Sequence, residues 1–409
     1  MLWVSGEGGA PSTLSDNLWS VPMAVVHDLK KSLVALDQDS TLIAVIELSQ
    51  SSWLVGGLVP GVGRDPVKKL EAEPEAVVRL LDRWFEEASR AGRSITRIVV
   101  AFEAGRDGLW LARWLRTWGI EAYVIHAASI AVSREHRRPK TDRLDVTLLK
   151  RAFVGWLRGE VEHCRMVALP TLEAEDARRP GRERERLKAD RTRLINQLKA
   201  ALARLGIRGF KPGLRKAPER LAALQTPEGM PIPPHSQDEL RRAMERLQLV
   251  KMQLKQLEAA RLERLEQAPD HGPHAMVRLI AQVVGIGVET ADTLVQEVLS
   301  RPLRDHRAVA RYAGLTGSPD ESGKRRRDKG LARSGNVRVR RCMLQLAWRF
   351  LMFQKDSALA RWYRARTEAG AKEARKTMVV ALARKLLIAL WRYANTGVPP
   401  EGVILRAAA

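Results

Sequence analysis

Residues 98–105 read Ile-Val-Val-Ala-Phe-Glu-Ala-Gly, an apolar and β-branched run that ends in an acid and a glycine. Such a run predicts a buried strand. Two comparable runs lie at Leu42–Ile46 and Ala122–Ile125, and segments with helical spacing lie between the three at Pro74–Ala91 and Leu109–Trp118. Strands that alternate with helices are typical of an α/β domain with a partly parallel sheet. The sequence therefore predicts an α/β fold for this part of the chain.

The predicted domain extends in both directions from these segments. Trp53–Val59 is another apolar run, and the polar residues that separate it from Leu42–Ile46 predict a β-hairpin. A further helix is predicted over Lys140–Leu157. We therefore place the α/β domain at residues 41–172, after a poorly specified N-terminal extension at residues 1–40.

The charge of the chain predicts a polyanionic partner. Lys and Arg total 70 against 47 Asp and Glu, which gives a formal net charge of +23 at pH 7. This imbalance argues against an ordinary metabolic enzyme and favours nucleic acid, because neutralising phosphates releases condensed counterions. An anionic membrane surface is the other candidate, but the longest apolar runs are short and are interrupted by Arg384 and Lys385. We expect no membrane segment.

The two cysteines, Cys164 and Cys342, lie in different parts of the chain. Two cysteines exclude a disulfide framework and cannot form a zinc knuckle alone. The N-terminus shows no basic region followed by an apolar stretch, so no signal peptide is expected. These observations predict a cytoplasmic, nucleoid-associated bacterial protein.

Residues 173–272 predict two long helices. Leucine and alanine recur at heptad spacing in each helix, at Leu187, Leu194 and Ala201 and again at Leu240, Leu247 and Leu254. A loop rich in Gly and Pro, Gly206–Pro234, separates the helices, which predicts an antiparallel coiled-coil hairpin. Two ordinary amphipathic helices packed on a domain are the alternative.

The C-terminal part, residues 273–409, is predicted to be mainly α-helical. Its apolar faces are expected to come from Trp348, Phe350, Leu351, Trp362, Tyr363, Leu386, Leu387 and Trp391. The segment Val-Val-Gly-Ile-Gly-Val-Glu-Thr-Ala-Asp around Gly285 and Gly287 resembles a helix-hairpin-helix, in which glycines allow backbone N–H groups to approach a phosphate. A common turn is the alternative interpretation.

Four acids occupy positions that suit a metal site. Glu47 and Glu103 end two predicted strands, and Asp142 and Asp145 lie three residues apart in Lys-Thr-Asp-Arg-Leu-Asp, on one side of a predicted helix. Carboxylates at these places can converge where α/β sheets hold their active sites. Clustered carboxylates repel one another unless cations neutralise them, and Mg²⁺ prefers oxygen ligands. The alternative is a set of solvated surface charges, since Lys140 and Arg143 flank the two aspartates.

A basic loop rich in Gly and Ser is predicted over Gly314–Asn336, and it contains Ser322 followed by a glycine. Dense cations beside a serine could hold a phosphate and stabilise the charge that develops there. By itself, such a serine is better explained as a phosphate contact than as a nucleophile, and Ser318 and Ser334 are competing candidates. We predict nucleic-acid contacts at Lys140, Arg143, Gly285, Gly287, Lys324, Arg325, Arg326, Arg327, Lys329, Arg333, Asn336 and Arg338.

The order of these motifs resembles the DEDD transposases, a family related to the Piv-type DNA invertases and including the bridge-RNA-guided recombinases. Phe-Glu-Ala-Gly at Glu103 and Lys-Thr-Asp-Arg-Leu-Asp at Asp142 and Asp145 carry the resemblance, which runs from about Leu42 to Trp391. Glu47 stands where the family usually has Asp, which is a departure from the pattern. Asp28, Asp37 and Asp39 are the neighbouring alternatives for this position, but none follows as good a predicted strand.

The resemblance implies a RuvC-like, RNase H-like catalytic domain whose four acids bind Mg²⁺. It implies that Ser322 attacks DNA to form a covalent phosphoserine intermediate. It also implies a structured guide RNA that pairs with donor and target DNA, and an active site formed in a homo-oligomer, a dimer or a tetramer. We therefore predict a site-specific DNA recombinase, the transposase of an insertion sequence. The alternatives are a RuvC-like nuclease or junction resolvase in which water attacks, and an inactive copy that only binds nucleic acid.

Overall fold

The structure is a computed structural model that describes residues 34–105, 109–130, 142–322, 325–331, 334–368 and 372–407. The chain divides after Pro170 into two compact units. This division falls two residues before the end predicted for the α/β domain. The segments predicted as a coiled-coil region and a C-terminal domain belong together to the second unit.

The first unit contains a five-stranded mixed sheet. Its strands are β1 (Thr41–Leu48), β2 (Ser52–Leu58), β3 (Val67–Glu71), β4 (Arg97–Glu103) and β5 (Glu121–Ile125), in the order β3-β2-β1-β4-β5. The predicted hairpin is confirmed, because β1 pairs antiparallel with β2. Strands β1, β4 and β5 are parallel neighbours. The edge strand β3 was not predicted, since Val-Lys-Lys-Leu-Glu is too polar and too exposed to show a buried-strand pattern.

Helices cover both faces of this sheet. On one face α1 (Pro74–Arg90) and α2 (Trp110–Thr117) form an apolar cluster with Leu42, Ala44 and Ile46 of β1. On the other face α3 (Asp142–Leu157) packs in a cluster with Ile43 and Val45 of the same strand. Alternate residues of a strand point to opposite faces, so Leu42–Ile46 of β1 is apolar without interruption because both faces of the strand are buried there.

The second unit begins with helices that form an antiparallel pair. After the short α4 (Leu172–Asp176), the long helices are α5 (Arg179–Arg204) and α7 (Pro234–Gln267), and the connection between them contains α6 (Ala217–Ala222). Arg184 near the start of α5 pairs with Glu258 near the end of α7 at 2.7 Å. At the other end, an apolar cluster joins Leu202 of α5 to Leu240 of α7. The helix pair agrees with the prediction, while coiled-coil packing in the strict sense stays a prediction.

The remaining elements of the second unit are mostly helical and surround one apolar core. They are α8 (Gly272–Ala281), α9 (Val288–Leu294) with a π-helical turn at Val295–Leu299, α10 (His306–Tyr312), β6 (Gly317–Ser322), β7 (Arg325–Leu331), α11 (Val337–Phe353), α12 (Ala358–Thr367) and α13 (Lys372–Thr396). The prediction of a loop throughout Gly314–Asn336 is wrong, because β6 and β7 pair as an antiparallel hairpin. The hairpin has no apolar alternation, so its strands gave no sequence signal.

The two apolar runs that Arg384 and Lys385 interrupt lie in α13, where Leu382, Leu386, Leu387 and Leu390 are fully buried in this core. Lys385 between them points outwards, with Nζ 4.9 Å from the centre of the Trp362 ring. Trp348 was expected to supply an apolar core face, but it is 51% exposed on α11. Among the helices of the described residues, none combines the length and the apolar character that crossing a bilayer requires.

Candidate active site

Glu47 and Glu103 lie side by side at the carboxyl ends of neighbouring parallel strands. The last paired residues of β1 and β4 are Ile46 and Phe102, and each acid follows immediately. Since Ile46 and Phe102 face α1 and α2, the next residue of each strand lies on the opposite face of the sheet. That face is the one covered by α3.

The first turn of α3 brings Asp142 and Asp145 to the same face of the sheet. Leu149 and Phe153, which follow at helical spacing, belong to the cluster that packs on the sheet, and Asp142 and Asp145 continue that stripe toward the start of the helix. Val146, which follows Asp145 directly, lies so close to β2 that a Cβ on Gly56 would overlap its Cγ1.

The direction of α3 places this first turn at the carboxyl end of β1. Gly56, beneath Val146, pairs with Val45 of β1. One turn later, Lys150 Nζ lies 2.6 Å from Asp65 Oδ2. Asp65 precedes Pro66, whose carbonyl accepts a hydrogen bond from the backbone N–H of Gly57, so this contact lies further toward the amino end of β1. The helix thus runs away from the strand ends that carry the acids.

The four acids therefore share one face and one end of the sheet. Asp142 is exposed, whereas Glu47, Glu103 and Asp145 are half-buried. Carboxylate oxygens are the ligands that Mg²⁺ prefers, so the donor chemistry fits that ion. Within the described ranges, however, no three His, Cys, Asp or Glu side chains are close enough together to hold a metal ion. Arg143 is exposed beside them, and Lys140 lies outside the described residues.

Ser322 is the last residue of β6, and its register partner across the hairpin is Arg325. For Ser322, and for the predicted contacts Arg325, Arg326, Arg327 and Lys329, the structure describes the backbone alone. Lys324 and Arg333 lie outside the described residues. The strand register therefore sets a basic strand directly opposite the segment that ends in the serine.

Two glycines meet at the base of this hairpin. Gly314 and Gly335 have φ values of +63° and +99°, a region that favours glycine. A Cβ on Gly335 would lie 2.7 Å from the Cα of Gly314, so the backbone segments leading into and out of the hairpin touch directly. Side chains at either position would separate these segments.

Asn336, which was predicted to contact nucleic acid, binds within the fold. Its Oδ1 accepts hydrogen bonds from the backbone N–H groups of Arg338 and Val339, and thereby caps α11. Its Nδ2 donates to Oε2 of Glu297 at 3.0 Å and lies 3.3 Å from the Tyr312 hydroxyl. This side chain fixes the point at which the hairpin joins the helical core.

Glu297, which the sequence analysis did not single out, is buried in the π-helical turn that follows α9. Burial raises its pKa, but hydrogen bonds from Arg182 and Asn336 outweigh that effect, so the pKa lies below its ordinary value. Arg182 Nε is 3.2 Å from its Oε1. The available signal was a charged residue between Val295 and Val298, both of which are fully buried.

The predicted helix-hairpin-helix corresponds to α8, a glycine turn and α9. Gly285 has φ +94°, and a Cβ there would lie 3.1 Å from the Cβ of Phe353. Gly287 is the N-cap of α9, and nothing lies within 4 Å of the position its Cβ would take. The structure thus needs glycine at Gly285 for its backbone, while the space beside Gly287 is open.

Comparison with known proteins decides the family. The chain is 39% identical to "Putative transposase y4rJ" of Sinorhizobium fredii over 373 residues, which cover 88% of this chain and 93% of that protein. Residues 277–364 match the sequence profile described as "Transposase IS116/IS110/IS902 family". The chain belongs to this transposase family.

A second relative of this transposase is more distant. "Probable family 20 transposase" of Pseudomonas aeruginosa is 26% identical over 302 residues, which cover 73% of this chain and 84% of that protein. The family profile spans the glycine turn, the β6–β7 hairpin and Asn336. The family assignment therefore includes the segment in which the candidate serine lies.

The second unit of this transposase also contains a basic cavity of about 390 Å³ between α5, α9 and α11. Arg338, another predicted nucleic-acid contact, lines it and pairs with Glu185 at 2.8 Å. This cavity leaves no signal in the sequence, because its walls come from three separate segments, within residues 178–188, 287–297 and 338–349.

Proposed function

We propose that this protein is the transposase of an insertion sequence and that it cleaves and rejoins DNA through Ser322. The observation that carries the proposal is the family relationship, which extends over 88% of the chain. The net charge of +23 supports a nucleic-acid substrate. The two alternatives are a nuclease that uses water and an inactive binding copy, and the Glu at position 47, where the family usually has Asp, is the observation that would favour the inactive copy.

In the proposed reaction the Oγ of Ser322 attacks a DNA phosphorus atom. An Oγ–phosphorus bond forms, a bond from phosphorus to a deoxyribose oxygen breaks, and the serine proton ends on the released deoxyribose hydroxyl. Strand exchange is the reverse step with a hydroxyl from another strand. The basic strand β7, opposite Ser322 in the hairpin register, supports the role of the serine because cations stabilise the charge that develops on phosphate.

Glu47, Glu103, Asp142 and Asp145 are the proposed Mg²⁺ ligands. Their common face and common end of the sheet support this role. When bound, Mg²⁺ supplies Lewis-acid polarisation of a phosphodiester. A structured guide RNA and a dimeric or tetrameric assembly complete the proposal, and the surplus of cations is compatible with RNA as well as DNA.

The covalent intermediate provides the direct test. The protein is mixed with Mg²⁺, labelled DNA that spans the ends of its element, and RNA transcribed from the flank of the element. The sample is then denatured and separated on a gel. We expect a protein–DNA adduct that Ser322→Ala abolishes and that Ser318→Ala and Ser334→Ala, the two competing serines, retain.

The acids are tested in the same assay with a matched control. Asp142→Asn removes a carboxylate from the first turn of α3, and Glu75→Gln removes one from the first turn of α1. The adduct should disappear in the first variant and persist in the second. Cleavage without an adduct would favour the nuclease alternative, and binding without cleavage under all conditions would favour an inactive copy.

A further inference from the structure

The cavity between α5, α9 and α11 has a strongly basic wall. Seven cationic side chains line it, against four acids. The cations are Arg178, Arg182, Arg184, Lys188, Arg338, Arg341 and Arg349, and the acids are Glu185, Glu289, Asp292 and Glu297. The surplus of positive charge makes the cavity suited to an anion.

Three of the four acids are engaged in the interior of the fold. Glu297 is buried and binds Arg182 and Asn336. Glu289 and Asp292 both pair with the buried guanidinium of Arg261. Their side chains are 24% exposed or less, so they serve the packing of α9 against α5 and α7. Glu185 is different, because its side chain is 39% exposed.

Glu185 bridges two arginines of α11. Its Oε2 lies 2.8 Å from Nε of Arg338, and its Oε1 lies 2.9 Å from an Nη of Arg341. Arg338 and Arg341 are three residues apart, so they project from the same side of the helix. Two guanidinium groups that converge on two oxygens of one anion form an arrangement that also suits a phosphate.

We propose that this cavity binds a phosphodiester group of nucleic acid and that Glu185 occupies the phosphate position in the free protein. On binding, a phosphate would replace the carboxylate of Glu185 as the partner of Arg338 and Arg341. Arg182 would remain paired with buried Glu297. The acid thus weakens contact with any anion that cannot displace it. This inference rests on the proposed nucleic-acid substrate.

A second basic groove continues from the cavity along α5. Arg184 and Lys188 line both, and the second, of about 360 Å³, adds Arg191, Lys251 and Lys255. At about 1.5 Å per residue, the helix from Arg178 to Arg191 covers about 20 Å. One strand of a duplex places about six phosphates in that length. The two grooves together fit a nucleic-acid backbone better than an isolated phosphate ion.

The test compares two charge-neutralising variants of α5. Glu185→Gln removes the acid from the cavity, and Glu183→Gln removes an exposed acid two residues away that does not line it. Binding to short labelled DNA duplexes and to structured RNA is measured by fluorescence anisotropy with the full-length protein. We expect Glu185→Gln to bind about tenfold more tightly, the gain of one phosphate contact, and Glu183→Gln to change affinity less than about twofold.

Arginine variants supply the opposite signal. Arg341→Gln should weaken binding about tenfold and should reduce the slope of log affinity against log salt concentration by about one. Arg186 is an exposed arginine of α5 outside the cavity, so Arg186→Gln should leave this slope unchanged. Circular dichroism confirms that each variant is folded. A larger effect on duplex DNA identifies the bound backbone as DNA, and a larger effect on RNA identifies it as RNA.

Equal gains in Glu185→Gln and Glu183→Gln would overturn the proposal, since they would show only a general change in charge. The proposal would also be overturned if Glu185→Gln bound inorganic phosphate more tightly in a competition assay but bound DNA and RNA no more tightly than the parent protein. The adduct assay on the same variants separates this inference from the proposed function. If the protein forms the adduct but its affinity for nucleic acid does not change in Glu185→Gln, only the proposal for the cavity is refuted. If the affinity depends on Glu185 but no adduct forms, only the proposed recombination chemistry is refuted.

Discussion

Asn336 donates a hydrogen bond from Nδ2 to Oε2 of buried Glu297 at 3.0 Å. The same side chain accepts hydrogen bonds from the first backbone N–H groups of α11. Asn336 therefore attaches the end of the β6–β7 hairpin segment to the helical core. Its hydrogen bond also offsets part of the free-energy cost of burying the Glu297 carboxylate. The start of α11, which follows the hairpin, is thereby anchored to the buried π-helical turn.

Replacing Asn336 should separate its two roles. Asn336→Ala loses the cap and the bond to Glu297, and should lower the free energy of unfolding by about 2–3 kcal/mol. Asn336→Ser keeps a capping oxygen but is too short to reach Glu297, so its loss should be about 1 kcal/mol. Urea unfolding followed by circular dichroism measures both. Equal losses in the two variants would contradict the role of the Glu297 contact.

The buried carboxylate of Glu297 should make the free energy of unfolding depend on pH. Burial raises its pKa, and the hydrogen bonds from Arg182 and Asn336 more than reverse that effect, so the pKa in the folded protein is below the ordinary value of 4.5. The ionised carboxylate therefore stabilises the fold at neutral pH, and this contribution is lost as pH falls through the lowered pKa.

Glu297→Gln should accordingly be less stable than the parent by about 2 kcal/mol at pH 7. The difference should shrink in unfolding experiments carried out below about pH 4, where the parent carboxyl becomes protonated. Glu183→Gln, an exposed acid on α5, serves as the control and should show no such convergence. If the difference in the free energy of unfolding between Glu297→Gln and the parent stays constant from pH 7 to acidic pH, the ionised carboxylate of Glu297 does not stabilise the fold through Arg182.

The two glycines of the α8–α9 turn should respond differently to alanine. Gly285→Ala places a Cβ 3.1 Å from Phe353 at a φ of +94°, so we expect a loss of about 1–2 kcal/mol in stability. Gly287→Ala meets nothing within 4 Å at an ordinary φ of −86°, and should cost less than about 0.5 kcal/mol.

Thermal melting measures both glycine variants, and DNA binding by Gly287→Ala adds a functional readout. If a phosphate approaches the backbone at this turn, as the sequence predicted, the new methyl group should weaken binding without changing the melting temperature. Unchanged affinity in a stable Gly287→Ala protein would remove the residue from the predicted nucleic-acid contacts.

The absence of a side chain at Gly56 should allow α3, the helix that carries Asp142 and Asp145, to lie close to β2. Gly56→Ala would force the new Cβ against Val146, the residue after Asp145, and should cost about 1–3 kcal/mol. Combining it with Val146→Ala should recover part of the loss, which a double-mutant cycle reports as coupling. Gly63→Ala is the control, since nothing lies within 4 Å of its Cβ position. Additive losses at Gly56 and Val146 would show that the helix does not rest on this strand.

The strands that carry Glu47 and Glu103 could be predicted because their apolar runs are buried on both faces and end in acids. The helix that carries Asp142 and Asp145 was predictable for a similar reason, since its buried face recurs at helical spacing. Edge strand β3 and the β6–β7 hairpin were not, because backbone pairing stabilises them without an apolar pattern. Backbone pairing by itself leaves no hydrophobic periodicity in the sequence.

The sequence by itself determined the apolar strands and most of the helices, predicted a polyanionic partner from its net charge, and singled out the candidate acids and serine. Only the tertiary structure decided that Glu47 and Glu103 are neighbours on the face that α3 covers. It also decided that Asn336 binds Glu297 and that Glu185 pairs with Arg338, 153 residues away. The physical reason is that local patterns record burial and backbone preference, whereas strand register and side-chain pairing arise only when distant segments pack together.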